Sequence, residues 1–447
     1  MYHKYRVLLV INLGFHYNNN MKKAYIPRLF DKTLEFALKT KGAVLIVGPK
    51  WCGKSRTAEK YAKTKIELLP RATRDQYISL AKNATKEFLN IGPKPILYDE
   101  WQIISFIWDD IKSEIDNNDE FGQYILTGSV TDKTSSSEPE DEKHTGTGRI
   151  IRKRMRTMSL FESNESSGKV SLSKLKDHIF SPCISDKDIY DYAFYICRGG
   201  WPLSIGEEKE IALQQAKDFY DGLVTEDIFS IKDIPLIVNE QKARLLLRSY
   251  SRNIASQCSN AMILKDVSQN GTFDSDTLSK YLLALQRLYV IEEMEAWNTN
   301  LRSKSVIRTK ATRYFVDPSI AAAALGMTPE NIFYDMHTFG LLFESLVIRD
   351  LRIYADSIGA KVYHYRDSSD READAVIQFR DGHWALVEVK LGDEKDISAA
   401  ATKLLKLSED IIQENEKPAF LMIITKDKFA YQREDGAYVV PLATLRD

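Results

Sequence analysis

Gly48-Pro49-Lys50-Trp51-Cys52-Gly53-Lys54-Ser55 follows the apolar run Ala43-Val44-Leu45-Ile46-Val47. The order fits the G-x-x-x-x-G-K-[ST] loop, in which glycine-held backbone N–H groups at a helix start surround phosphates. The helix dipole favours the anion at that end. Lys54 is then expected to reach the β- and γ-phosphates and Ser55 to ligate Mg²⁺, with residues 48–56, Arg56 included, forming the nucleotide cradle. ATP and Mg²⁺ are the expected ligands. A chance match would have to fall, as this one does, between a buried strand and a helix.

Pro95-Ile96-Leu97-Tyr98-Asp99-Glu100 is an apolar strand ending in paired carboxylates. Asp99 is expected to hold Mg²⁺ through water, and Glu100 to polarise or orient the attacking water. Alone, the pair would read as an acidic helix N-terminus. Behind a phosphate loop and an intervening strand, the functional reading is the stronger one. Tyr124-Ile125-Leu126-Thr127-Gly128-Ser129 ends in hydroxyls. Thr127 or Ser129 is a candidate γ-phosphate sensor, weighed evenly against a plain strand-to-turn junction. Residues 149–156 then place five cations in eight positions. Such runs are usually solvated faces, and Arg149 is the candidate for stabilising transition-state charge on a phosphoryl group.

Near the C-terminus, Ala373 to Phe379 and Trp384 to Lys390 flank Arg380-Asp381-Gly382, a three-residue hairpin turn. Pairing about Asp381 sets Asp374 opposite Glu388, with Lys390 two residues on and on the same face. Two carboxylates and a lysine on one side suit a Mg²⁺ site, with Asp374 and Glu388 as hard oxygen ligands. The bland alternative is an exposed polar strand face.

The motifs GPKWCGKS, ILYDEWQ, ILTGS, TGRIIRKRMRTMSLFES, RGGWP, RYFVDPSIAAAALG, GLLFESLVIRDL and READAVIQF with ALVEVK run from about Ile26 to Leu442. Together they resemble the AAA+-like, STAND-related ATPases of bacteria and archaea that carry a C-terminal domain of unknown function. The resemblance implies that Pro202, with Trp201, lies near the adenine, although a helix-ending turn explains Gly200-Trp201-Pro202 equally well. The D…E-x-K arrangement resembles the PD-(D/E)xK nuclease core, which implies Glu344 as an additional acid. Ala373 stands where that core carries proline, a position that is not a ligand.

These residues need elements to place them. Strand and helix alternate from about 28 to 130, which implies a parallel sheet with helices on its faces. Residues 131–148 read as a loop. The expected class is α/β: a P-loop NTPase core, a winged-helix-like middle and a C-terminal restriction-endonuclease-like domain. The expected division is an extension at 1–20, an ATPase core at 21–165, a helical subdomain at 166–235, a winged-helix-like domain at 236–325 and a nuclease-like domain at 326–447. In the middle unit a helix begins at Asp274, a strand Tyr289–Glu292 follows, and Arg302, Lys304, Arg308, Lys310 and Arg313 decorate a wing. Asp274 and Asp276 at that helix start would repel DNA phosphates.

The chain has 447 residues and 62 basic against 63 acidic side chains, so no global charge steers it to nucleic acid or membrane. Its four scattered cysteines suit a reducing, cytoplasmic setting. Lys4, Arg6 and the apolar run 7–11 are too short to span a bilayer, and no membrane role is expected. Met21 is a candidate start. Two functions fit: an ATP-driven enzyme acting on DNA, or a signalling or scaffold ATPase whose C-terminal unit binds a protein partner or a second copy. The apolar stretch 320–325 favours the second. A small-molecule kinase would need far less machinery.

Overall fold

A computed structural model of the chain describes residues 24–128, 148–231, 234, 239–268, 273–297, 310–367, 369, 371–412 and 417–447. The N-terminal run, Ser129 and the wing cations Arg302, Lys304 and Arg308 lie outside the described residues.

Continuous apolar runs make strands that can be covered on both faces, the condition for a parallel sheet. The first sheet contains β1 (Ala43–Val47), β2 (Thr64–Glu67), β3 (Ile96–Asp99), β4 (Tyr124–Gly128) and β5 (Ile150–Arg154), in the order β2-β3-β4-β1-β5. All four pairings are parallel. Helices α1 (Phe30–Thr40), α2 (Lys54–Tyr61), α3 (Arg71–Asn83), α4 (Thr85–Leu89) and α5 (Trp108–Asn118) accompany it. Two apolar cores result: Leu45, Tyr98 and Leu126 in one, Val44, Ile46 and Ile125 in the other. After Glu100 the chain runs as a 3₁₀ segment, Trp101–Ile107, before α5.

The middle of the chain holds β6 (Val170–Ser171), α6 (Leu172–Lys176), β7 (Cys183–Ile184), α7 (Ile189–Arg198), α8 (Lys209–Thr225), α9 (Glu240–Arg252), α10 (Asn260–Ser268) and α11 (Ser275–Arg287). Asp274 caps α11 by accepting from the Thr277 backbone N–H. The strand expected at Tyr289–Glu292 is reduced to isolated bridges, Ile291 to Phe315 and Met294 to Thr312. Tyr289 at φ 57° is left-handed, which breaks an extended run. Arg313, expected on the wing, is buried and binds the Cys258 carbonyl, Glu293 and Asn260.

The last unit runs α12 (Pro318–Leu325), α13 (Met336–Ser357), β8 (Lys361–Arg366), β9 (Glu372–Gln378), β10 (Trp384–Lys390), α14 (Glu394–Ile412), β11 (Phe420–Thr425), β12 (Phe429–Gln432), β13 (Tyr438–Pro441) and β14 (Leu445–Arg446). Its sheet has the order β7-β12-β13-β11-β10-β9-β8, and β14 pairs with β6. Segments from 166–235 therefore complete the C-terminal sheets. One apolar core joins Trp201, Leu246, Tyr281 and Ile320 to Phe343, Val387 and Leu445. The first half of the stretch 320–325 belongs to that interior: Ile320, Ala321 and Ala322 are buried, while Ala323, Ala324 and Leu325 are half-buried.

Candidate functional site

β1 ends at Val47 and α2 begins at Lys54. The intervening loop therefore sits at the carboxyl edge of the sheet, where open α/β sheets hold ligands. Gly48 has φ 151°, and a Cβ there would lie 2.1 Å from the Met155 carbonyl oxygen. Gly53 has φ 102°, a conformation that side chains disfavour. α2 has no side-chain cap and no acid in its first turn, which leaves its N-terminal donors to an anion. The Lys54 ammonium is buried and donates to the carbonyls of Gly48 (2.9 Å) and Pro49 (2.8 Å), so it is held inside the loop.

Three of the expected residues converge. Asp99 and Thr127 are register partners on β3 and β4. Ser55 Oγ donates to Asp99 Oδ1 at 2.7 Å, and Thr127 Oγ1 donates to the same oxygen at 2.5 Å. Glu100 follows at φ 59°, an uncommon left-handed conformation for this residue type. Gln102 Nε2 donates to its carboxylate at 2.5 Å. Gln102 Oε1 is buried without a hydrogen-bond partner among the described residues, and it lies over Gly128. A buried orphan acceptor on the side chain that binds Glu100 is the kind of group a water satisfies.

The helical middle grips the outside of the loop. Lys50 Nζ pairs with Asp227 at 2.5 Å. Trp51 meets Phe219 edge-on, with centroids 5.7 Å apart. Pro202 Cγ lies 3.5 Å from where a Cβ on Gly53 would sit. Cys52 is buried with its thiol against the Met155 carbonyl, and Arg56 pairs with Glu59. Trp201 is not open to a base: it is buried, stacked on Phe219 with centroids 4.1 Å apart, and donates to Ser319.

Arg149 is corrected. β5 runs parallel to β1, with Ile150 beside Ala43 and Arg154 beside Val47. Arg149 precedes β5, so it lies at the sheet's opposite edge from the phosphate loop, exposed and paired with Asp116. Arg28, which no motif or spacing marks, does reach the loop. It is buried, and its guanidinium binds Glu162, the Cys52 carbonyl, and the carbonyls of Arg156 and Thr157. A single arginine after Pro27 carries no spacing signal.

The C-terminal residues also assemble. β9 and β10 pair with Val387 beside Ala375, so the next pair outward is Asp374 and Glu388. The Val389 N–H donates to Asp374 Oδ2 at 2.7 Å. Glu388 is fully buried; its Oε1 accepts from Lys390 (2.9 Å) and from Lys403 of α14 (2.7 Å), while Oε2 has no partner among the described residues. Lys403 was missed because it comes from a distant helix. Glu344 of α13 accepts from the Tyr314 hydroxyl at 2.6 Å. Burial, then the charge of Glu388, pushes the Asp374 carboxyl up to about 7. Burial, then Asp374, pushes Glu344 well above the carboxylate range. Burial opposes the charge on Lys390, but Glu388 and Asp374 outweigh it and raise its pKa. No group of three or more His, Cys, Asp or Glu side chains among the described residues is placed to hold a metal ion. Nor, among them, is any helix long and apolar enough to cross a membrane.

Residues 40–164 match the family model described as "AAA domain". Residues 189–331 and 339–445 match two models each described as a domain of unknown function, DUF8612 and DUF4143. No curated protein matches the chain. Among solved structures, the Walker-type ATPase PABY2304 of Pyrococcus abyssi is similar at 13% identity and TM-score 0.39, over 67% of this chain and 96% of that one. A chain from the structure of Drosophila ORC bound to DNA is similar at 12% identity and TM-score 0.18, over 66% and 84%. Likeness at that level says nothing of a shared ligand. The AAA match and the loop geometry support an AAA-like P-loop ATPase fold for the first unit, with ATP as its nucleotide.

Proposed function

We propose that the chain is an ATP hydrolase that uses turnover to operate its C-terminal α/β unit. The observation that carries this reading is the meeting of Ser55, Thr127 and Asp99 on one carboxylate oxygen beside the phosphate loop. Lys54 and the loop N–H groups would hold the phosphates, and Ser55 and Asp99 would hold Mg²⁺, which when bound neutralises phosphate charge. Glu100 orients the attacking water. Pro202 caps the nucleotide side of the loop.

For the C-terminal unit we favour a nuclease-like centre formed by Glu344, Asp374, Glu388 and Lys390, with DNA as substrate. The Glu388 Oε2, without a partner among the described residues, beside an Asp374 carboxyl that burial and Glu388 push up to about 7, supports a centre whose carboxylates a cation would neutralise. A second reading has its own support: Glu388 already binds two lysines. In that reading the unit is a partner-binding module on a scaffold ATPase, with the helical middle as spacer.

The test is plasmid and linear DNA cleavage by the full chain with Mg²⁺ or Mn²⁺, with and without ATP, alongside ATP turnover. Lys54→Ala is expected to abolish turnover, and Lys390→Ala to abolish cleavage while leaving turnover intact. Unchanged turnover in Lys54→Ala would refute the ATPase reading. Intact turnover with no cleavage under any condition would select the scaffold reading.

A further inference from the structure

β5 is the edge strand of the first sheet, and it runs into a cavity of about 260 Å³ closed on the far side by the α13–β8 corner. Six cations line that cavity against two carboxylates, in a chain whose net charge is −1. The excess is therefore local.

The cations fall into two sets. Those at the back are held by protein. Arg28 is bound by Glu162 and three carbonyls, Arg156 binds Glu292 and Asp356, and Arg154 binds Glu292 at 3.0 Å. Burial opposes ionisation of Glu292, but Arg156, Arg352 and Arg154 outweigh it and keep the carboxyl well below its usual range. The back wall thus remains charged. Arg152, Lys153 and Lys361 make no ion pair among the described residues, and Arg152 and Lys361 are exposed. Phe30 and Ile353 supply apolar wall.

We propose that this cavity is a second anion site, distinct from the phosphate loop, that takes a small polyphosphorylated ligand. Arg152, Lys153 and Lys361, without an ion-pair partner among the described residues, stand over a fixed basic wall and suit several phosphate charges at once, because charge-assisted hydrogen bonds are the strong ones. The recess is too small for a duplex. Arg28 lies in the cavity lining and also binds the Cys52 carbonyl of the loop, so the two anion sites share a residue.

Inorganic tripolyphosphate is titrated calorimetrically into the full chain carrying Lys54→Ala, which disables the loop. The same titration follows in that background with Arg152→Ala and Lys361→Ala, both at exposed positions that spare the core. Short duplex DNA is titrated in parallel. The expected result is one tripolyphosphate per chain, weakened on the order of tenfold or more by the two alanines and by added salt. No binding, or equal binding by both proteins, would overturn the proposal. So would a loss confined to DNA, which would make these cations surface contacts for backbone phosphates.

Discussion

Asp374→Asn is expected to make the protein more stable, and only above acidic pH. The carboxyl titrates at about 7 in the folded chain against an ordinary value of 3.8, because it is buried and faces Glu388. Between those values the folded state keeps a proton that the unfolded chain has lost. Unfolding free energy then falls as pH rises through the window and levels above it. At about 1.4 kcal/mol per unit, roughly three units give an upper bound of about 4 kcal/mol at pH 8. Asparagine cannot ionise, and its amide oxygen can still accept from the Val389 N–H. The variant should therefore match the wild type near pH 4 and gain on it steadily up to pH 7. Urea unfolding at several pH values, followed by tryptophan fluorescence, reads this out. Trp384 of β10 and Trp297, whose rings lie 4.9 Å apart, report on this sheet. A variant that is less stable at pH 8, or a difference that ignores pH, would show that Asp374 is not held in tension with Glu388.

Two further outcomes follow from the placement of single residues. Arg149→Ala should leave ATP turnover unchanged, because the arginine lies across the sheet from the loop; a hundredfold loss in a steady-state assay would contradict that placement. Asp317→Ala should cost about 3–5 kcal/mol, the usual penalty for breaking a buried ion pair, since it strips one carboxylate from the fully buried Arg349. A thermal midpoint within a degree of wild type would mean that Arg349 is satisfied by Asp350 alone.

The nucleotide site was legible because its signals are local. A strand, a glycine loop and a helix start fall within a few residues, and each acid or hydroxyl ends its own apolar strand. The pairing of Asp374 with Glu388 was legible because a three-residue turn fixes hairpin register. What escaped depends on long-range contact. Nothing near Lys403 announces Glu388, and nothing near Val170 or Cys183 announces β14 or β12. Arg149 failed for a directional reason: residues that open a parallel strand lie at the wrong edge, and only those that close it reach the loop. The wing reading failed at Arg313, whose charge serves the interior.

The long sequence motifs find their physical reason at one buried carboxylate. Asp317 accepts from Thr157 at 2.8 Å, from the Gly200 N–H at 2.9 Å and from Arg349 at 3.1 Å. Asp350, beside Arg349, accepts from the Leu160 N–H. The segment after β5, the Gly200 turn, the start of α12 and the middle of α13 are thus held together, and α13 also carries Glu344. Spatial contiguity is not coupling, but it limits how the proposed gating can work. Pulling this junction apart would cost about 3–5 kcal/mol, more than the ~1–3 kcal/mol typical of allosteric coupling. Arg28 extends the junction to the loop itself through the Cys52 and Thr157 carbonyls. Nucleotide-driven motion is then cheapest where the grip is weakest: at the Lys50–Asp227 pair and the Trp51–Phe219 edge, where both loop side chains are over a third exposed. The α8 side of the helical middle, rather than α13, is where ATP turnover should first be felt.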